Sequence, residues 1–405
     1  MSTSTSAPTV NLLDPEFYVE PFEAYRWLRD ESPVHRDPVQ QLWGISRHAD
    51  VMHVEKETSR YSSFEGSRPH TDQRADTSMI NKDDPEHQRQ RKIVAPRFTP
   101  RAVRDHDAHI RGIVTEILDA VNDQGGCEVV EAIASRLPAM VIGDLLGYPR
   151  ELWPLVRKWS EETMYQAGQT PADGHIRDAQ EGMSDSIAEF GATTFPLIQE
   201  RRADPKDDLI SVWAHAELDG RRWTDEEILM ETILLLDGGA ETTRTVIGSI
   251  VRELALQPEQ RQLLVDQPEL LASTAVEEFI RWVSPISNMR RTVREDHELH
   301  GQELRAGDEI LLLYGAANRD GRVFSDPETF DVRRPNNHHV AFGFGTHFCL
   351  GASLARLELR IMFEELTRRI PGWRLVGPEP RILPATFARS YDAVHVEFTD
   401  GRRSG

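Results

Sequence analysis

The segment Phe342-Gly343-Phe344-Gly345-Thr346-His347-Phe348-Cys349-Leu350-Gly351 places one thiol on a loop bracketed by glycines, just before an apolar stripe of helical period. A cysteine thiolate held this way can serve as the axial ligand of a haem iron, pushing electron density onto the metal to favour O–O cleavage. Gly345 and Gly351 lack side chains, so backbone can approach a flat macrocycle closely. The orphan amides of the following helix point back toward the sulfur, and their partial positive charge favours thiolate over thiol. Leu350, Leu354, Leu357 and Ile361 share one helix face, and Pro371 closes that element. The alternative is a buried structural cysteine, since free Cys is among the most buried residue types. The full spacing Phe-x-x-Gly-x-x-x-Cys-x-Gly-x-x-x-Ala, ending at Ala355, favours the ligand. No second cysteine stands at zinc-type spacing.

A second candidate is Asp237-Gly238-Gly239-Ala240-Glu241-Thr242-Thr243, inside a long helical pattern. Two adjacent glycines cost a helix about 1 kcal/mol each relative to Ala. One reading is a kink in which Thr hydroxyls bond back to i−4 carbonyls. The other is functional: bare backbone at Gly238 and Gly239 leaves room for a small ligand such as O2. The acid and alcohol at Glu241 and Thr242 can then order water and relay protons.

Charged pairs form a third group. Glu278 and Arg281 lie three residues apart on one helix face, and alone would be an ordinary surface pair. His87 and Arg91 lie at i and i+4 behind the helix-starting Pro85, able to clamp carboxylates or to face solvent.

The elements that must position these groups are mostly helical. A capping box at Thr224 and Glu227 opens the longest helix, which runs to about Leu256 with Pro258 beyond. Strand-like pieces occur at Leu42–Ser46, Glu309–Tyr314 and Ala393–Phe398. The expected fold is one mainly α domain over residues 11–405 with a small β-sheet, behind a disordered tail at 1–10. Hydrophobic content of 39% and 405 residues suit a globular protein, and a net charge of −20 argues against nucleic acid and anionic membranes. No signal core or apolar run of ~18 residues appears, so no membrane anchor is expected. Two cysteines, one committed as a ligand, fit a reducing cytoplasm.

The Cys349 loop, the Gly238–Thr242 segment and the Glu278–Arg281 pair together resemble the cytochrome P450 superfamily. The absence of an anchor resembles its soluble bacterial branch. Ser284–Leu299, Phe324–Leu359 and Leu209–Thr243 are similar to actinobacterial members that oxidise the side chain of cholesterol and cholestenone. The resemblance implies a P450 fold, with haem b between the long distal helix and the helix after Cys349. Cys349 becomes the iron ligand, with Gly351 beside it. His87, Arg91, His347 and Arg291 (or Arg290) bind the propionates. Thr242 is the alcohol that meets dioxygen and Glu241 the acid that feeds it protons. Glu278, Arg281 and Arg334 (or Arg333) form a structural charge network. Met79, Leu235, Gly238, Ile286, Met289 and Phe387 line the substrate pocket, and Glu162–Met183 forms a lid with a loop at Gly168, Pro171 and Gly174. The implied reaction is hydroxylation of an unactivated C–H bond. O2 and two electrons are consumed, drawn from NAD(P)H through a separate ferredoxin and ferredoxin reductase. The partner would dock near Cys349 on Arg356, Arg360 and Lys92, and the enzyme would be a monomer. The alternatives are tailoring of a macrolide, terpenoid or fatty acid, peroxide-driven oxygenation, and a haem-thiolate ligand sensor without turnover.

Overall fold

Thr224 opens the longest helix as its spacing to Glu227 requires. The Thr224 hydroxyl accepts from the Glu227 amide at 3.2 Å, and the Glu227 carboxylate accepts from the Thr224 amide at 2.9 Å. The helix runs unbroken from Asp225 to Leu256, roughly 48 Å at 1.5 Å per residue. The structure, a computed structural model, describes residues 8–70, 73–166 and 176–400. The long helix is the axis of the main core. Helices Arg136–Leu146, Trp153–Gln166, Ala275–Val283 and Ala352–Arg369 pack against it. Leu236, Ile247, Ile250 and Leu254 are buried along its length. Its two adjacent glycines have different causes. A Cβ on Gly239 would meet Ile142 at 3.0 Å, so Gly239 lets helix Arg136–Leu146 come close. A Cβ on Gly238 would meet nothing within 4 Å, so Gly238 faces open space.

A five-stranded sheet lies beside this bundle in the order Val34–Arg36, Trp43–Ile45, Glu309–Leu313, Asn288–Val293, Tyr61–Ser62. It has its own core of Trp43, Ile45, Val293, Ile310 and Leu312. A three-stranded sheet joins Gly372–Leu375, His395–Asp400 and Gly126–Glu128. The mainly α fold with small sheets is therefore as expected. Residues 1–7 of the tail lie outside the described residues, whereas Val10 is buried among Leu12, Tyr25 and Leu28. Of the lid segment, helices Trp153–Gln166 and Ile176–Ala203 are described. The loop with Gly168, Pro171 and Gly174 lies outside the described residues. No helix among the described residues is long and apolar enough to cross a membrane.

Glu278 and Arg281 are not a surface pair. Both side chains are fully buried. Arg281 grips the carboxylate in bidentate fashion at 2.7 and 2.8 Å, and Arg334 adds a third bond at 3.0 Å. Arg333 is exposed and faces Asp331, so Arg334 is the network member. The Asp331 amide and Asn337 also donate to Glu278, both at 3.0 Å, while Arg281 donates onward to Asn318 and Pro327 carbonyls. One carboxylate thus ties helix Ala275–Val283 to the segment before the Cys349 loop. Removing one partner of a buried ion pair strands the others' charge, at about 3–5 kcal/mol. Glu278→Gln should lower the unfolding free energy of the haem-loaded protein by about that much, measured by chemical denaturation at fixed haem occupancy.

Candidate active site

The Cys349 loop closes on itself through the Cys349 amide, which donates to Phe342 O at 2.8 Å. Gly343 and Gly345 have φ of +69° and +71°, which L side chains rarely adopt. At Gly345 an added Cβ would also fall 2.6 Å from the Glu55 carbonyl. The amides of Gly351 and Ala352 reach the Cys349 sulfur, as the helix start predicted. They do not ionise it by themselves. Burial pushes the thiol up and outweighs the pull of Gly351, Arg91, Arg356 and Ala352. A coordinated cation would favour the thiolate, since metal binding displaces the thiol proton.

His87, Arg91, Arg291 and His347 converge beside the loop. The two imidazole rings lie 4.0 Å apart, and Arg91 donates to Phe348 O. Burial lowers both imidazoles, His347 far below its ordinary value, and Arg291 and Arg91 push both further down. Alternation along strand Asn288–Val293 separates the two adjacent arginines. Arg290 turns to Glu65, Glu309 and the Arg68 carbonyl, while Arg291 turns to Glu55 and His347. Arg291 is thus the one on the cluster's side.

Two residues without a prior role hold this cluster. Glu55 is buried, accepts from Tyr314 at 2.7 Å and from the Phe344 amide, and sits 3.5 Å from Arg291. Burial pushes its carboxyl up to about 7 against Arg291, Tyr314 and Phe344. Asp84 faces His87 at 3.2 Å and accepts from Thr346 at 2.8 Å. Its modest burial is outweighed by Thr346, Gln88 and His87, which hold it below its usual range. Only tertiary folding brings Glu55 and Asp84 to the loop, so nothing in their local sequence could have marked them.

On the long helix, Thr242 donates to Gly238 O at 2.9 Å, the back-bond weighed above as the structural alternative. Glu241 is buried and turns to Arg244 at 2.6 Å and Ser160 at 3.4 Å. The two side chains are neighbours in sequence but point to different partners. Asp237, whose signal was an acid ending the apolar run Ile233–Leu236, accepts from Thr163. Burial pushes it up to about 7 against Thr163 and Arg68, with Glu241 adding to the rise.

The expected pocket residues come together only in part. Ile286, Met289 and Phe387 form one cluster through the bridge between Ile286 and Ala388. The Arg68 guanidinium lies 3.8 Å from the Phe387 ring centre. Leu235 is half-buried beside the open face at Gly238. Met79 is buried in the main core, its amide held by Glu231 at 2.8 Å. On the proximal side, Arg356 is engaged by Glu277 at 2.6 Å and Arg360 by Asp107 at 2.7 Å. The charge expected there for docking is therefore largely internal.

These features define a haem-thiolate protein, and comparison with known proteins agrees. A cytochrome P450 family profile matches residues 269–369. The chain is 42% identical to a steroid C26-monooxygenase of Mycobacterium tuberculosis, covering 98% of each. It is 37% identical to a methyl-branched lipid omega-hydroxylase of Mycobacterium bovis, over 86% of this chain and 84% of that protein. A Bacillus megaterium protein solved in complex with testosterone superposes with a TM-score of 0.87 at 34% identity, over 95% of this chain and 100% of that one.

The chain belongs to the cytochrome P450 family. It is a monooxygenase whose cofactor is haem and whose electrons come from outside the chain. The residues fit that cofactor. Cys349 could take the iron. The His87, Arg91, Arg291 and His347 cluster, whose members repel one another, could take two carboxylates. Gly238 and Gly351 are both sites where an added Cβ would meet only open space.

Arg291→Gln should speed haem loss to an apomyoglobin acceptor roughly 10- to 100-fold, since a hydrogen bond to a charged group contributes about 1.5–3 kcal/mol. Glu231 supplies a pH test. Burial pushes its carboxyl from an ordinary 4.5 up to about 8, and one of its oxygens has no hydrogen-bond partner among the described residues. The folded chain therefore holds a proton that the unfolded chain releases above about 4.5, so its stability contribution falls as pH rises to about 8. Unfolding of Glu231→Gln should show a flatter pH dependence between these limits, by a few kcal/mol in all.

Proposed function

We propose that this enzyme hydroxylates an unactivated C–H bond in the side chain of a steroid of the cholesterol or cholestenone type. A ferredoxin, reduced by an NAD(P)H-dependent ferredoxin reductase, would supply the two electrons. The observation that carries the substrate class is the near full-length similarity to a steroid C26-monooxygenase. The apolar cluster of Ile286, Met289 and Phe387 supports a hydrophobic ligand. When bound, haem supplies the O2 activation and C–H oxidation. The chain's own residues hold and surround it. Cys349 provides the sulfur, and the basic cluster with Glu55 and Asp84 orients the carboxylates. Thr242 and Glu241 manage protons beside the opening at Gly238. With one of two cysteines engaged, the chain suits a reducing cytoplasm, where we expect it to act as a monomer.

The similarity to a methyl-branched lipid omega-hydroxylase favours a second reading, terminal hydroxylation of a branched acyl chain. A visible-absorption titration of the ferric protein separates the two. A low-spin to high-spin shift with cholest-4-en-3-one supports the steroid, and a shift only with branched fatty acids supports the lipid. A sensor needs no proton machinery, so Thr242→Ala discriminates there. It should leave haem and ligand binding intact while product per reducing equivalent falls several-fold and peroxide rises, a smaller change than the roughly 10²–10⁴-fold of a rate-limiting acid–base step because reductant is diverted to peroxide. Unchanged coupling would remove Thr242 from the proton path.

A further inference from the structure

Two acids stand one turn apart on the long helix, Asp237 and Glu241, and two hydroxyl residues stand three apart on helix Trp153–Gln166, Ser160 and Thr163. The helices pack against each other and these four side chains meet across the seam. Ser160 donates to Glu241 Oε1 at 3.4 Å, and Thr163 donates to Asp237 Oδ1. Thr163 also lies 3.4 Å from the Ser160 carbonyl. The acids are electrostatically coupled, each felt by the other along the helix. Glu241 lies at the inner end with Arg244, which also faces Glu161 at 3.5 Å. Asp237 lies at the other end, next to the open face of Gly238. It is half-buried, one residue before the glycine whose Cβ direction is open.

We propose that this acid–hydroxyl ladder is a second route for protons into the active site, with Asp237 as the group that delivers them alongside Thr242. The proposal rests on the monooxygenase reading and adds a residue the family resemblance does not supply. Hydroxylation consumes one O2, two electrons from the ferredoxin and two protons, and returns one oxygen in the product and one in water. Asp237 releases a proton to the cavity and becomes a carboxylate. It would then be reprotonated from bulk water, entering beside the part-exposed Glu161 and passing through Glu241, Ser160 and Thr163, with a water bridging the helical turn between the two hydroxyls.

Three observations favour Asp237 for this task. The Thr163 hydroxyl has one proton but lies within hydrogen-bond distance of the Trp159 carbonyl, at 2.7 Å, as well as of Asp237. When that proton goes to the carbonyl, the bond to Asp237 requires a protonated carboxyl as donor. Asp237 also titrates near neutrality, where a proton donor works best. Finally, Thr242 is tied back to Gly238 O and Glu241 is turned toward Ser160, so the family pair does not by itself join the cavity to the buried acid. The charged groups that face Asp237 are Arg68 from the loop before the propionate helix, which favours the carboxylate, and Glu241 on its own helix, which favours the acid.

The test uses haem-loaded full-length protein with a ferredoxin, its reductase and cholest-4-en-3-one. It measures product and peroxide per NADH from pH 6 to 8.5. Asp237→Asn keeps size but cannot deliver a proton. It should lower coupling about threefold or more at pH 6.5 and leave the ligand-induced spin shift unchanged. Wild-type coupling should fall toward the variant's level as pH rises past about 7, where Asp237 has lost its proton. Combined with Thr242→Ala, it should remove most of the coupling that the Thr242 variant retains, and Asp237→Glu should restore part of it. Wild-type coupling and pH profile in Asp237→Asn would overturn the proposal. If cholest-4-en-3-one gives neither spin shift nor product, the steroid reading fails instead. The partition of consumed O2 between peroxide and water without substrate then reports on Asp237 in the same way.

Discussion

Four basic side chains in one enclosed place repel one another, and the fold has to answer for that. His87, Arg91, Arg291 and His347 arrive from two helix-and-loop segments and a strand, and burial lowers both imidazoles, with the two arginines pushing them further down. The chain supplies only two carboxylates in return, Asp84 and Glu55. The haem of this family, with its two carboxylates, would add to that balance beside the Cys349 loop. Glu55 supports the loop from beneath, its backbone so close that only glycine fits at position 345. Thr346 reaches out of the loop to Asp84, so the sulfur-bearing turn and the propionate helix share one hydrogen-bond network.

Much of this was legible in the sequence because it is local. The capping box at Thr224, the length of the long helix and the two glycines before Cys349 are all set by neighbours within a few residues. The charge network at Glu278 was legible only as a resemblance. Its i, i+3 spacing is that of an ordinary surface pair, and complete burial is a property of the folded chain. Arg290 and Arg291 could not be told apart from sequence because adjacent strand residues differ only in which face they present, and the pairing of the strand decides that. Glu55 and Asp84 were invisible because only tertiary folding brings them to the Cys349 loop. The expected docking arginines carry a partner that sequence does not show: Arg356 and Arg360 are basic residues on the helix after Cys349, and each has a carboxylate waiting on another element.

The double glycine of the long helix shows how one motif can serve two physical ends. Gly239 makes room for Ile142 and so belongs to the packing of the core. Gly238 makes room for nothing in the protein and so belongs to the cavity. A reading that assigns both to dioxygen, or both to a kink, merges two constraints that act on different faces of the helix. The Thr242 back-bond likewise does not exclude a role at the cavity, since a hydroxyl that donates to Gly238 O still has lone pairs to accept with.

The alternation of Arg290 and Arg291 bears on how this gene can change length. Strand Asn288–Val293 is paired on both sides, with Glu309–Leu313 and with Tyr61–Ser62. Inserting or deleting one residue within it would exchange its two faces. The Arg291 guanidinium, now beside Glu55 and His347, would then turn to Glu65 and Glu309, and that of Arg290 would turn inward. The neighbouring hairpin of His297–Leu299 and Gln302–Leu304 has an exposed turn at His300 and Gly301. Length variation in descendants of this sequence should therefore collect in that hairpin and stop short of the strand, although the two are separated by only a few residues.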